Sequence, residues 1–117
     1  MLQLQPEQLA LFSRLARERF LDDEVQRLRQ LRPAEAARAK DAALRAFVER
    51  ALERAGAYDI VGISDVQRFI ELTLRLGPAF EDETRWQPVC VLLEETAVSA
   101  RIRLDRVDAL LARQGVP

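Results

Sequence analysis

The stretch Ser64-Asp65-Val66-Gln67-Arg68-Phe69-Ile70-Glu71-Leu72-Thr73-Leu74-Arg75-Leu76-Gly77-Pro78 decides the fold. Ser64 with Gln67 three residues on has the form of a capping box, and Gly77-Pro78 cannot continue a helix, so the spacing predicts a helix from about Asp65 to Leu76. Asp65, Arg68, Glu71 and Arg75 recur at steps of three, three and four and form one narrow charged strip. Val66, Phe69, Ile70, Leu72, Leu74 and Leu76 take most of the remaining circumference. A helix with so little polar surface belongs at the centre of a bundle. The implied fold class is all-α, a compact bundle of five or six helices around this element.

Towards the N-terminus, Pro6 suits the first helical position, and Glu7 interacts favourably with the helix dipole. Leu9, Phe12, Ala16 and Phe20, then Leu21, Val25 and Leu28, succeed one another at helical steps. The acids Asp22, Asp23 and Glu24 interrupt the stripe, either as a break with Asp22 or Asp23 as a new N-cap or as the solvated face of one long helix, the slightly favoured reading. Pro33 ends this element at about Leu31 because it disfavours α geometry in the residue before it. A second long helix is expected from about Ala34 to Ala55, with Leu44, Phe47, Val48, Ala51 and Leu52 on one side and Gly56 as its C′ residue. Towards the C-terminus, the acidic loop Glu81-Asp82-Glu83 leads to Trp86. Pro88 opens a short helix ending near Thr96. Ser99 can cap a last helix that buries Ile102, Val107, Leu110 and Leu111 and is closed by Gly115 and Pro117.

With 117 residues, 49% hydrophobic and 32% charged, the chain is globular and is read as one domain, residues 1–117. No apolar run reaches the roughly 18 residues of a membrane span, and the N-terminus lacks the order of a signal peptide, so the expected location is the cytoplasm. A formal net charge of −1 offers no field to attract nucleic acid or acidic lipid. The acids concentrate between Asp59 and Glu95, whereas Ser99 to Arg113 is arginine-rich; Lys40 is the only lysine. Arginine supplies rigid, bidentate donors suited to carboxylate-bearing protein surfaces.

Catalytic chemistry has little to draw on. The absence of histidine removes the commonest general base and imidazole ligand. Cys90, the only cysteine, lies in Val89-Cys90-Val91-Leu92-Leu93 and reads as a small buried hydrophobe. The adjacent carboxylates point about 100° apart on a helix and converge on nothing. Ser13, Ser64 and Ser99 lack a base, and the glycines are isolated, so no phosphate-cradling loop exists. The expectation is a non-enzymatic protein without cofactor or metal. A helix-turn-helix reading of Ala51 to Leu76 would place only Arg68 and Arg75 in a groove, too few for a DNA-binding regulator. Trp86 either lids the core or anchors a partner, and the Tyr58 hydroxyl is expected to find a backbone partner.

Tyr58-Asp59-Ile60, Asp65-Val66, Arg68-Phe69, Leu76-Gly77, Phe80 and Trp86, with Arg101-Ile102 further on, resemble the pattern of small helical proteins encoded in bacterial type VI secretion clusters, beside genes for spike proteins, effectors and effector adaptors. The chain departs from that pattern at Asp59, where the family has glycine, and at Ile63, where an acid is common. The resemblance implies a cytoplasmic adaptor or co-adaptor that binds a secretion effector or its loading chaperone, the alternative being an immunity protein that neutralises a toxin. A structural subunit that self-associates is the remaining option. The expected docking residues are Arg101, Arg103 and Arg106 on the outer arc of the last helix, with Trp86, Glu81, Asp82 and Glu83. The same arginines have a competing intramolecular use in pairing with Glu94, Glu95 or Asp108.

Overall fold

Pro6 and Pro33 bracket a single helix, and helix is the only regular structure among the described residues. The computed structural model describes the backbone of residues 6–116 and the side chains of 13–34 and 36–116. Among these residues the order is α1 (Pro6–Leu31), α2 (Pro33–Ala36), α3 (Asp41–Ala57), α4 (Ile63–Leu76), two 3-10 turns (Phe80–Asp82 and Thr84–Trp86), α5 (Gln87–Leu93) and α6 (Ala100–Arg113). The protein is all-α. Its chain divides into two compact units, Met1–Glu49 and Arg50–Pro117.

In the first unit α1 runs without a break through Asp22 and Asp23, which are exposed, while Leu21, Val25 and Leu28 are buried. The side chains expected at the start of its stripe, those of Leu9 and Phe12, lie outside the described residues. Glu24 departs from the solvated reading: it is 2% exposed. Its carboxylate accepts two bonds from Arg27 Nε, at 3.0 and 2.9 Å, and one from Nη2 at 2.6 Å, so the buried charge is paired along its own helix.

The helix expected to run from Ala34 to Ala55 is two elements. Arg29 is the reason: Nη1 donates to the carbonyl of Ala36 at 3.1 Å, Nη2 to the carbonyl of Ala39 at 2.8 Å and to Asp41 at 2.6 Å. One guanidinium thus satisfies the carbonyls freed where α2 stops, and it holds Asp41 in the first turn of α3, where an acid suits the helix dipole. Further along, Arg45 pairs with both Glu18 and Asp22, tying α3 to the exposed side of α1.

The end of α3 also differs from expectation. Gly56 is inside the helix, and the left-handed residue is Asp59, at φ 58°. Its N–H donates to Gly56 at 3.0 Å and that of Ile60 reaches back to Ala55 at 2.8 Å, the double closure of a Schellman motif; Ile60 and Ala55 are both buried against it. An aspartate here bears the Cβ cost of φ > 0 and sets a negative charge at a helix C-terminus. Asp59→Gly is therefore expected to stabilise the protein by about 0.5–1 kcal/mol, seen as a higher urea midpoint at unchanged slope. A lower midpoint would refute this account of the turn. The same closure ends α6, where Gly115 at φ 74° is the expected C′ residue.

Helix α4 starts two residues earlier than predicted, with Gly62 at the N-cap and Ser64 already helical, so no capping box forms. Its buried residues are Val66, Phe69, Ile70, Leu72, Thr73 and Leu76. The charged strip meets α6: Arg68 Nη2 lies 2.9 Å from Asp105 and 2.8 Å from Asp108, and Arg75 lies 3.7 Å from Asp108. Burial depresses the Arg68 guanidinium, but the bonds to Asp108 and Asp105 outweigh it and leave its pKa raised.

Candidate functional site

Helix α6 carries the arginines that the sequence assigned to a docking face, and its rotation decides which of them are available. Ser99 caps it as expected, its Oγ accepting from the N–H of Ile102 at 3.4 Å. The buried positions are Arg103, Leu104, Val107 and Leu111, which share an arc of about 100° on a helix, with position 102 about 100° beyond its edge. Ile102, expected in the core, is 47% exposed, and Arg103, expected outside, is 1% exposed.

Arg103 is inward because three carbonyls need it. Its Nε donates to Val98 at 2.9 Å, and Nη1 donates to Tyr58 at 2.7 Å and to Leu93 at 2.6 Å. Tyr58 directly follows α3 and Leu93 ends α5, so a single cation serves the carbonyl ends of two helices, where both the unpaired acceptors and the helix dipoles favour it. Arg103 is thus a structural residue and is withdrawn from the docking face. Arg101 and Arg106 remain exposed, Arg106 within 3.3 Å of Glu95. That pair is the competing intramolecular use expected of it.

The acidic loop is built rather than loose. Phe80 is buried and anchors the first 3-10 turn, which presents Glu81 to α3. Arg54 grips the carboxylate with Nε at 2.9 Å and Nη2 at 2.5 Å, and the Tyr58 hydroxyl donates to it as well. Tyr58 has therefore found a carboxylate where a backbone partner was expected. Burial pushes the Glu81 carboxyl up, but the bonds from Arg54 and Tyr58 outweigh it and hold the pKa below its ordinary value of 4.5. Burial, and then the bond to the Glu81 carboxylate, push the Tyr58 phenol well above its usual range.

These shifts predict a pH dependence. A carboxyl whose pKa is lowered by folding contributes stability that is complete above 4.5 and is lost as pH falls through the folded value. Glu81→Gln is expected to cost about 1–2 kcal/mol at pH 7, and its stability should fall less steeply than that of the native protein on acidification. Urea midpoints between pH 7 and pH 3 check this, and parallel curves would contradict it.

Of the other expected contacts, Trp86 is buried, so it lids the core, with the Arg85 guanidinium 4.8 Å above its ring. Its Nε1 has no hydrogen-bond partner among the described residues. Asp82 and Glu83 are exposed, Glu83 near Arg85 at 3.7 Å. Cys90 is buried, and burial followed by the charges of Glu81 and Glu94 raises its thiol pKa, the reverse of an activated nucleophile.

Two surface features were not anticipated. One is apolar: Val61 and Ile63, on either side of Gly62, are 77% and 68% exposed. Arg68 Nη1 reaches the carbonyl of Arg101 at 3.5 Å, and the contacts of Arg68 and Arg75 keep the same order along α6. Arg101 and Ile102, in the first turn of α6, are exposed as well. The signal was present as two β-branched residues around a glycine, but they precede the helix expected from about Asp65 and so are not tested by its periodicity.

The second feature is a groove of about 430 Å³ between α3 and the first 3-10 turn, lined by Arg50, Arg54, Pro78, Ala79, Glu81 and Asp82. Such a volume is typical of small binding clefts. No helix among the described residues is long and apolar enough to cross a membrane. No family model, curated protein or solved structure matches the chain.

Proposed function

We propose that this chain is a non-enzymatic accessory protein that works by binding another protein. The observation that carries the reading is the exposure of Val61 and Ile63, two branched apolar side chains on either side of Gly62. Branched apolar side chains left in water have the make-up of an interface centre, and their burial by a partner would contribute about 25 cal/mol per Å² of apolar area. The partner is proposed from the sequence resemblance: a type VI secretion effector or its loading chaperone, with this chain as adaptor or co-adaptor.

The test uses the tagged full chain in its native host. The protein is expected to co-purify with an effector or chaperone encoded beside it, and Val61→Asp with Ile63→Asp should reduce that capture at least about tenfold while the melting temperature holds. Deleting the gene should abolish export of the effector and leave growth intact. Loss of viability that is rescued by deleting the toxin would instead establish the immunity role. Undiminished capture by the double variant would remove this surface from consideration.

A further inference from the structure

The groove beside α3 has a charge arrangement that the proposed protein partner would have to match. Arg54 and Glu81 face each other across it and neutralise each other, with Tyr58 holding the carboxylate in place. Arg50, one turn before Arg54, and Asp82, next to Glu81, are exposed and form no ion pair among the described residues. One wall therefore keeps an unspent positive charge and the other an unspent negative one. Between them Pro78 and Ala79 present short, exposed side chains that leave room for a chain.

We propose that this groove holds an extended segment of a partner protein bearing both an acidic and a basic side chain, the acid meeting Arg50 and the base meeting Asp82. The inference rests on the protein-binding reading of the chain and specifies the partner's chemistry. A wholly acidic segment would be repelled by Asp82, and a wholly basic one by Arg50; only mixed charge satisfies both walls. Because Arg54 and Glu81 are already fixed by each other, the central part of the groove requires no reordering when a segment enters.

The experiment titrates the isotope-labelled full chain with a short capped peptide of alternating glutamate and lysine, and with its neutral glutamine counterpart, tracking amide chemical shifts. Saturable shifts at Arg50, Arg54, Ala79 and Asp82 are expected with the charged peptide alone. Arg50→Glu and Asp82→Lys should each weaken binding about fivefold or more, and the double exchange, which restores opposite signs on opposite walls, should recover it. Equal shifts with the neutral peptide, no saturation, unaffected single variants or no recovery in a folded double variant would each overturn the inference. So would shifts of the same amides on simple dilution, which would assign the groove to a second copy of the chain. The Val61 and Ile63 variants should bind the peptide normally, so failure here leaves host capture standing, and failure of host capture is read separately.

Discussion

Replacing Arg103 by methionine is expected to lower the stability of the protein by about 3–5 kcal/mol, a large part of the total for a chain of this size. The guanidinium makes three short bonds to carbonyls of Val98, Tyr58 and Leu93. Charge-assisted bonds contribute about 1.5–3 kcal/mol each, and an acceptor left buried without a donor costs about 1–3 kcal/mol. Against this stands the penalty of burying a cation, several kcal/mol, which methionine escapes. The carbonyls decide the balance, because they stay where the helix ends put them whatever occupies position 103. Lysine keeps the charge but offers one nitrogen on a flexible stem in place of a fork, so Arg103→Lys should recover only part of the loss. Equilibrium unfolding in urea measures both. A methionine variant within about 1 kcal/mol of the native protein would show that water reaches those carbonyls and that Arg103 is not needed there.

That single side chain also explains what could be read from the sequence and what could not. Pro33, Gly77 and Ser99 act through local backbone geometry, and the ends of α1, α4 and α6 that they mark were legible at once. The apolar periodicity of α4 was equally local, and the all-α class came from it. Arg103 was misplaced because its partners lie 45, 10 and 5 residues away along the chain, and no helical period reports a carbonyl that distant. Arg29 misled in the same way: its grip on Ala36, Ala39 and Asp41 splits what composition reads as one alanine-rich helix. Asp59 in a glycine conformation is a third instance, since the residue type argues against the geometry it adopts. In each case a long-range or strained interaction overrides a sound local preference. The docking residues fared by the same rule: Arg101, Arg106, Asp82 and Glu83 are exposed, while Arg103, Trp86 and Glu81 are engaged in holding the fold.

The second large effect is expected at Phe69, the centre of the helix from which the fold was read. Phe69 is fully buried, with the ring of Tyr58 at 5.8 Å and 55° and that of Phe80 at 6.3 Å and 60°. Removing the ring forfeits its transfer free energy and leaves a cavity, together about 3–5 kcal/mol for Phe→Ala, part of which is the two tilted aromatic contacts at about 0.5–1.5 kcal/mol each. Phe69→Leu keeps most of the volume and should cost roughly half as much. The consequence extends to the groove. Phe80 anchors the turn that carries Glu81 and Asp82, and Tyr58 holds Glu81 from the other side, so both supports of that wall rest on Phe69. In the alanine variant, under conditions where it remains folded, the amides of Glu81 and Asp82 should exchange with solvent faster than those of α6, and peptide binding at the groove should weaken although no groove residue has changed. A fall in stability with uniform exchange and unaltered peptide binding would show that the wall stands independently of the aromatic cluster.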